Sequence, residues 1–416
     1  MLPEGYIRHL AEIVGPEVAE RFQTALSQEP SVSVRLHPFK RPSVPDPLTE
    51  GAETVPWNEW GRFLTVRPSF TLQPFFHAGA YYVQDSSAMF AGWVFRQLLD
   101  ARETDADRPV RVLDLCAAPG GKTTDLAASL RMRFGDRFLL VANEVMRQRS
   151  AVLSDNVAVW GDPNVMVTCA DPRAFAAFEG FFDYILADVP CSGEGMFRKD
   201  EKAVRDWSLS TVALCAARQK RILSDVWPAL RAGGALVYST CTFSRAENDE
   251  TLAWICAQLG AESVKPEAAF EGVLETPYGH LLVPGCVRGE GQYVAAVRKG
   301  DGPAASRLTA DSLQKLHPLR YGFPEGVQKG RDFVPDPDSP LSLAYARGTW
   351  PEAEVDRETA LRFLHRDSLV LPDAPRGYVV LTHGGLPLGL VKNLGSRCNN
   401  LLPPSRRIMM DINRFI

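Results

Sequence analysis

Four short apolar segments, each with an acidic residue at or just after its end, constrain the fold of this chain most. The segments cover residues 112–115, 138–143, 165–168 and 182–187, and the acids are Asp114, Glu144, Asp171 and Asp188. Stretches with helical character lie between them, and this alternation is typical of a parallel sheet with helices on its faces. Parallel strands end at one edge, where such sheets bind ligands. The sequence therefore predicts an α/β fold with a doubly wound, mostly parallel sheet and an acidic ligand site.

The first apolar segment leads into a glycine-rich turn. Residues 116–124 read CAAPGGKTT. A turn of small residues that opens a helix lets a nucleotide-like ligand reach backbone N–H groups at the helix N-terminus. The spacing fits neither G-x-G-x-x-G nor the phosphate-binding pattern G-x-x-x-x-G-K-[ST]. Glu144 follows the glycines by about twenty residues, where doubly wound folds place a carboxylate that binds ribose hydroxyls. A nucleotide-like cofactor is therefore expected at this turn.

Two cysteines lie in motifs that directly follow predicted strands. Cys191 is part of DVPCSGEGMFRKD, residues 188–200, and Cys241 is part of YSTCTFSRAEND, residues 238–249, after a strand predicted at 235–238. If these two strands are neighbours, both thiols emerge at the ligand edge of the sheet. Turn-forming and hydroxyl residues flank both cysteines, which favours a reactive over a structural role. The remaining motif-free cysteines are expected to be structural, namely Cys169, Cys215, Cys256, Cys286 and Cys398.

Two thiols beside a nucleotide-like cofactor suit the alkylation of cytosine at carbon 5. That carbon is a poor nucleophile, and addition of a thiolate at carbon 6 pushes electron density onto it. After the transfer, the proton on carbon 5 must leave and the thiolate must be expelled, which requires a base or second group nearby. Asp188 is expected to hold the N3 and N4 edge of the base. The residues by themselves leave open which cysteine attacks.

The motifs DLCAAPGGKT, DVPCSGEGMFRKD and VYSTCTF together resemble the S-adenosylmethionine-dependent RNA cytosine-5 methyltransferases of the Sun and Nop type. The run CSGEGMFRKD, with Asn143-Glu144, resembles most closely the bacterial ribosomal RNA branch of that family, small-subunit methyltransferase F. The match covers about residues 75–298. The resemblance implies a Rossmann-like class I methyltransferase domain that methylates carbon 5 of cytosine in 16S ribosomal RNA, with S-adenosyl-L-methionine as cofactor.

The same resemblance implies a role for each motif residue. Cys241 is the nucleophile that forms a covalent adduct with carbon 6 of the cytosine, and Cys191 assists release. Asp188 lies at the methyl donor and the target base, Glu144 at the ribose and Asp171 near the adenine. The implied cofactor-binding residues are Cys116, Ala117, Ala118, Pro119, Gly120, Gly121, Lys122, Glu144, Asp171 and Asp188. No metal is implied. In the N-terminal R-x-N-x-x-K strand of the family, this chain has His37 in place of Asn, and His37 is expected to be a surface or packing residue rather than a functional one.

The 416 residues, 45% of them hydrophobic, suffice for two or three domains. We expect an N-terminal α+β RNA-binding domain at 1–100, the catalytic domain at 101–300 and a small β-rich, PUA-like RNA-binding region at 301–416, with links at 102–108 and 300–306. In the last region a helix is predicted at 358–364 and a hairpin at 377–391. From residue 377 onward the sequence has five basic residues and one acidic residue, Asp411. This excess of positive charge predicts an RNA-docking surface formed by Lys392, Arg397, Arg406, Arg407 and Arg414.

The net charge of -4 means that any RNA-binding surface must be local. Basic residues after the first cysteine motif are expected to contact phosphates at the rim of the cleft: Arg198, Lys199, Lys202 and Arg205. Eight cysteines without C-x-x-C pairs, and no signal-like or membrane-spanning apolar run, predict a cytoplasmic protein with reduced thiols and neither metal nor membrane contact. The expected partner is ribosomal RNA or the small ribosomal subunit, bound by a monomer.

Three alternatives to this function remain open at this point. The first is the same chemistry on transfer RNA. The second is a DNA cytosine-5 methyltransferase, which would be expected to use the P-C motif cysteine as its nucleophile. The third, from a different class, is a non-catalytic RNA-binding ribosome assembly factor that retains the cofactor fold.

Overall fold

The described part of the N-terminal hundred residues forms four α-helices and a small antiparallel sheet. The computed structural model describes residues 2–100, 108–300, 302 and 306–416. The sheet has the order β2–β3–β1–β4. Gly15 separates the first two helices with a φ of +89°, and Pro16 opens the second. The elements are α1 (Tyr6–Val14), α2 (Pro16–Ala25), β1 (Val32–Leu36), β2 (Thr54–Val55), β3 (Asn58–Leu64), α3 (Pro74–His77), β4 (Tyr81–Val83) and α4 (Phe90–Asp100).

The central region contains the predicted doubly wound sheet, which confirms the expected fold class. Five parallel strands lie in the order β9–β8–β5–β6–β7. The direction of chain winding reverses between β5 and β8, and such a switch point is where doubly wound sheets bind ligands. The elements are β5 (Val110–Asp114), α5 (Gly121–Phe134), β6 (Phe138–Asn143), α6 (Arg147–Trp160), β7 (Val165–Thr168), β8 (Phe182–Asp188), α7 (Glu201–Asp206), α8 (Leu209–Val226), β9 (Leu230–Thr240) and α9 (Asp249–Leu259).

Antiparallel strands extend this sheet at both edges. β10 (Ala261–Ser263), β11 (Val273–Glu275), β12 (Gly279–Leu282) and β13 (Gln292–Lys299) follow in sequence, and β13 pairs with β9. At the other edge, β14 (Arg320–Tyr321) pairs with β7. The sheet thus contains ten strands within the described ranges. The two expected links, 102–108 and 300–306, lie mostly outside the described residues.

Alternate residues of the parallel strands face two separate cores. Val112 faces the core formed with α4, α5 and α6, whereas Leu113 faces the core formed with α1, α2, α8 and α9. All six residues of β6 are buried. Both faces of a parallel sheet must be covered, so its strands are apolar throughout rather than alternating. On the second face, the ring centroids of Tyr6 in α1 and Phe197 are 5.0 Å apart. Helix α1 therefore packs directly against the first cysteine motif, residues 188–200.

The C-terminal region contains a small sheet, confirming the predicted β-rich, PUA-like fold. The elements are β15 (Gly326–Lys329), β16 (Asp332–Pro335), β17 (Glu352–Glu354), α10 (Arg357–His365), β18 (Gly377–His383), β19 (Leu386–Asn393) and β20 (Cys398–Asn400). The last four strands form a sheet in the order β17–β18–β19–β20. The predicted helix and hairpin are present, and Gly384 and Gly385 make the tight turn with φ of +55° and +75°. This region shares a core with the N-terminal sheet, where Phe363 and Leu381 join the cluster that contains Val34 and Tyr81.

All eight cysteines lie in the described part of the chain, and each has a free thiol. In the same part, no helix has the length and apolar character needed to cross a membrane. The side chains described there also include no group of three or more His, Cys, Asp or Glu that could hold a metal ion.

Candidate active site

The two motif cysteines meet at the ligand edge of the sheet. β8 and β9 pair in parallel up to Asp188 and Ser239, so the chain leaves both strands at the same level. Cys191 and Cys241 follow within three residues of these strand ends, and their sulfur atoms are 3.1 Å apart. The backbone N–H of Cys241 also donates a hydrogen bond to the Cys191 sulfur at 3.3 Å. The two thiols therefore form one pair at this edge rather than two separate sites.

A lysine and an aspartate lie beside this thiol pair. Lys122 Nζ donates to Asp188 Oδ2 at 2.8 Å, and Ser239 Oγ donates to Asp188 Oδ1 at 2.6 Å. Burial would lower the pKa of Lys122, but the Asp188 carboxylate outweighs it, with a further contribution from Cys241, so the net pKa is raised. Lys122 is consequently positively charged beside Asp188 and interacts electrostatically with Cys241.

Hydrogen bonds from three elements hold the glycine-rich turn between β5 and α5. The donors are Arg149 Nη2 to Ala118 O at 2.7 Å, Tyr82 OH to Pro119 O at 3.1 Å, and Asn156 Nδ2 to Pro119 O at 2.8 Å. The backbone N–H of Ala117 donates to Asn143 O at 2.7 Å. The Ala118–Pro119 peptide bond is cis, and Gly120 has a φ of +114°, a conformation that favours glycine. The turn is thus fixed from α6, β4 and the end of β6.

Three further acids at the strand ends differ in their surroundings. Asp114 is fully buried, and its Oδ2 accepts from Thr123 Oγ1 at 2.6 Å, while its Oδ1 accepts no hydrogen bond from the described residues. Burial raises the pKa of Asp114 to about 7. Glu144 is buried and lies 3.0 Å from Arg149, between Oε2 and Nη1. Asp171 is exposed, and its Oδ1 accepts from the backbone N–H of Arg173 at 3.0 Å.

This edge suits a nucleoside-like cofactor. Buried polar atoms are normally hydrogen-bonded, so the free Asp114 oxygen is an acceptor for a ligand hydroxyl or ammonium group. Glu144 directly follows β6, the strand next to β5, and supplies a second buried carboxylate. Burial raises the pKa of the Cys116 thiol, which therefore stays protonated and neutral within the turn.

Two buried acids within the cysteine motifs 188–200 and 238–249 were not among the predicted site residues. Glu194 and Glu247 are 1% and 0% exposed, and their carboxyls bond to the two loops. Burial raises the pKa of both, that of Glu247 to about 7. One signal in the sequence was available: both acids follow a motif cysteine closely, within the same motifs, GEG and AEN.

Arg35 in β1 and His37 just after it are buried, and Arg35 forms hydrogen bonds at the start of α5, next to the glycine-rich turn. Arg35 is 1% exposed and donates to Thr124 Oγ1 at 2.5 Å and to Gly121 O at 3.2 Å. Its guanidinium lies 4.7 Å from the centre of the Trp160 ring. His37 is buried, as expected, and its Nε2 lies 3.1 Å from Trp160 O. These side chains therefore connect β1 to the catalytic domain.

Three basic side chains that were predicted to contact RNA form ion pairs within the protein. Arg198 is half-buried and lies 2.8 Å from Glu290, between Nη2 and Oε1, and the exposed Lys199 pairs with Asp85 at 3.0 Å. Arg406 is nearly buried and pairs with Asp338. Their acidic partners are distant in sequence, so these pairs were not predicted, and contact of the three side chains with RNA stays a prediction. The exposed basic side chains of the two predicted groups are Lys199, Lys202, Arg205, Arg397, Arg407 and Arg414.

Three protein-family models match consecutive parts of the chain. The model of the 16S rRNA methyltransferase RsmB/F matches residues 97–298. The model of the N-terminal domain of 16S rRNA methyltransferase RsmF matches residues 2–86, and that of the methyltransferase RsmF PUA domain matches residues 351–408. The matches thus cover parts of the N-terminal, central and C-terminal regions in turn.

Individual proteins agree with the family models. The chain is 40% identical over 397 residues to the ribosomal RNA small subunit methyltransferase F of Enterobacter sp. (strain 638), covering 81% of this chain and 79% of that protein. It is 31% identical to the protein of that name from Serratia proteamaculans, covering 78% of each. Among solved structures, a methyltransferase homologue from Pyrococcus horikoshii is 25% identical, with a TM-score of 0.57 over 70% of this chain and 93% of that chain. The chain therefore belongs to the ribosomal RNA small subunit methyltransferase F family.

Proposed function

We propose that this protein transfers a methyl group from S-adenosyl-L-methionine to carbon 5 of a cytosine in 16S ribosomal RNA. The observation that carries the proposal is the pair of sulfur atoms 3.1 Å apart at the switch-point edge of the sheet, next to Asp188 and Lys122. The names of the relatives support the RNA substrate, since they are described as acting on ribosomal RNA of the small subunit.

Residues of the turn and of the strand ends would hold the cofactor. These are residues 116–122, with Glu144 at the ribose, Asp171 near the adenine and Asp188 beside the donor group. The buried position of Glu144 supports its role, because a carboxylate in a low-dielectric site binds two ribose hydroxyls strongly. When bound, S-adenosyl-L-methionine supplies an electrophilic methyl group on a sulfonium centre.

Cys241 is the nucleophile in this proposal. Its thiolate adds to carbon 6 of the cytosine, a carbon–sulfur bond forms, and the electron pair of the ring double bond moves to carbon 5. The positive charge of Lys122 near Cys241 favours the thiolate. Asp188, oriented by hydrogen bonds from Lys122 and Ser239, holds the N3 and N4 edge of the base while carbon 5 takes the methyl group.

Cys191 assists the release step. Its hydrogen bond with Cys241 and its burial raise its pKa well above the ordinary range, so it keeps its proton at neutral pH. After methyl transfer, a water molecule takes up the proton on carbon 5, and the electron pair of that carbon–hydrogen bond restores the ring double bond. The bond between carbon 6 and Cys241 breaks, and its electron pair stays on the sulfur. The Cys191 thiol, 3.1 Å away, is placed to donate a proton to the departing Cys241 sulfur.

The substrate cytosine must leave its stack to reach these thiols. A thiolate approaches carbon 6 from the face of the ring, and stacked bases hide that face. We therefore expect an unpaired or flipped cytosine. The exposed bases of the C-terminal PUA region, Arg397, Arg407 and Arg414, supply positive charge for phosphate contacts outside the catalytic domain.

A tritium-release assay tests this function. RNA labelled with tritium at carbon 5 of cytosine is incubated with the protein and S-adenosyl-L-methionine. The substrates are naked 16S RNA, the small ribosomal subunit and transfer RNA. The proposal predicts tritium release equal to methyl groups incorporated. Release from transfer RNA only would favour the transfer RNA alternative. Cofactor binding without release from any of these substrates would favour the non-catalytic assembly factor.

A further inference from the structure

The two cysteine loops are held against each other by more than the strands beneath them. One loop follows β8 and contains Cys191, and the other follows β9 and contains Cys241. The backbone N–H of Gly195 in the first loop donates to Cys241 O at 2.8 Å. Each loop also carries one buried glutamate whose carboxyl bonds to the opposite loop.

Glu194 reaches from the first loop into the second. Its Oε2 accepts from the backbone N–H of Phe243 at 2.7 Å and from Thr242 Oγ1 at 3.0 Å. Its other oxygen accepts from Trp207 Nε1 at 2.7 Å. Phe243 and Thr242 directly follow Cys241, so this carboxyl fixes the backbone that carries the Cys241 sulfur.

Glu247 reaches in the opposite direction. Its Oε1 accepts from Ser192 Oγ at 2.5 Å, and its Oε2 accepts from the backbone N–H of Ser192 at 3.0 Å and from Gln219 Nε2 at 2.9 Å. Ser192 directly follows Cys191. Gln219 Nε2 also donates to Pro190 O at 3.0 Å, so the residues on both sides of Cys191 are tied to this acid.

This arrangement is reciprocal. The acid of each loop accepts the backbone N–H of a residue just after the cysteine in the opposite loop, and the hydroxyls of Ser192 and Thr242 meet at 2.8 Å between the acids. Two acidic side chains that are completely buried are costly in a protein interior and require compensation by hydrogen bonds. For packing alone, apolar side chains would serve as well. The geometry instead suits the task of setting one distance, that between the two sulfur atoms.

We propose that Glu194 and Glu247 form a reciprocal clasp that positions the Cys191 and Cys241 sulfur atoms at reacting distance. They are positioning residues, since neither carboxyl contacts the sulfur atoms. The inference rests on the proposed function, because the distance between the two sulfur atoms matters for catalysis only if release of the adduct requires the second thiol. The distance itself can be tested without RNA or methyl donor.

The two acids respond differently to amide substitution. The donors to Glu247 Oε2 are two fixed N–H groups, whereas Oε1 faces a hydroxyl that can donate or accept, so glutamine satisfies every contact. Both oxygens of Glu194 accept from fixed N–H groups, those of Phe243 and Trp207, so a glutamine NH₂ group must face a donor. Glu247→Gln should therefore keep the clasp, and Glu194→Gln should open it.

The experiment measures disulfide formation between Cys191 and Cys241 after addition of diamide, a thiol oxidant that takes up the two hydrogens. The linked peptide is quantified over time by mass spectrometry in the full-length protein, without RNA or cofactor. We expect Glu247→Ala and Glu194→Gln to slow cross-linking about tenfold or more, because displacements near 1 Å have effects of this size on reactions between positioned groups. Glu247→Gln and the control Glu250→Ala, an exposed residue of α9, should react like the unmodified protein.

Methylation assays then separate positioning from general loss of structure. The clasp predicts a lower kcat for Glu247→Ala and Glu194→Gln with little change in KM for RNA or methyl donor, and rescue in Glu247→Gln. Circular dichroism establishes that each variant is folded, and Glu194→Gln keeps the test valid if Glu247→Ala does not fold. Cross-linking at the unmodified rate in folded Glu194→Gln would overturn the clasp, whatever its activity. Loss of methylation in all proteins, with the cross-linking pattern intact, would overturn the proposed function instead.

Discussion

Replacement of Arg35 by alanine should weaken the cofactor turn rather than RNA binding. The Arg35 guanidinium donates to Gln84 Oε1 at 2.9 Å, to Thr124 Oγ1 at 2.5 Å and to Gly121 O at 3.2 Å. Loss of one member of a buried charged network costs about 3–5 kcal/mol. Here the nearest acid, Asp125, keeps Arg96 at 3.1 Å and is not left unpaired. The loss of stability should therefore lie near the lower end, at about 3 kcal/mol.

Urea unfolding and titration calorimetry measure the two consequences. The control is Arg41→Ala, since Arg41 is exposed and its guanidinium rests on the Trp60 ring at 5.3 Å. Arg35→Ala should unfold at clearly lower urea, and its affinity for S-adenosyl-L-methionine should fall about tenfold, or about 1.4 kcal/mol. Affinity for ribosomal RNA should match that of Arg41→Ala. The reasoning is refuted if Arg35→Ala keeps the stability and cofactor affinity of the control and loses RNA affinity instead.

Three other substitutions have defined outcomes. The pKa of Glu247 rises from 4.5 to about 7 on burial, so its contribution to stability is complete below pH 4.5 and is lost as the pH rises to about 7. At 1.36 kcal/mol per pKa unit this amounts to about 3 kcal/mol, and thermal unfolding at pH 5 and pH 8 should show a smaller pH dependence for Glu247→Gln than for the unmodified protein. Lys122→Ala should slow the alkylation of Cys241 by iodoacetamide at neutral pH several-fold, whereas Lys122→Arg keeps the charge; equal rates in all three proteins would contradict the role of Lys122. Gly120→Ala should cost about 1–3 kcal/mol in unfolding free energy because of its φ of +114°, and an unchanged unfolding midpoint would contradict that strain.

The sheet and the thiol pair were predictable because they depend on local patterns and one rule of topology. The segment predicted at 138–143 is β6, since a strand buried on both faces is apolar throughout. The meeting of Cys191 and Cys241 follows from the pairing of β8 with β9, which places the residues after both strands at one edge. Neither inference needs the identity of side chains elsewhere in the molecule.

The partners of buried charged groups could not be predicted in this way. Arg198 and Glu290 are 92 residues apart in sequence, and Arg406 and Asp338 are 68 residues apart. A single sequence shows that these side chains are charged but not whether an opposite charge lies within reach. The hydrogen bonds of Arg35 at the start of α5 could not be predicted for the same reason, since Gly121 and Thr124 are 86 and 89 residues away in sequence.

The formation of a covalent protein–RNA adduct tests the central claim most directly. Cys191→Ala and Cys241→Ala are each incubated with 16S ribosomal RNA and S-adenosyl-L-methionine and separated on a denaturing gel. The proposed mechanism predicts that Cys191→Ala accumulates a covalent band, since Cys241 still attacks but its release is impaired, and that Cys241→Ala gives none. A band from Cys241→Ala and none from Cys191→Ala would contradict the mechanism and make Cys191 the nucleophile.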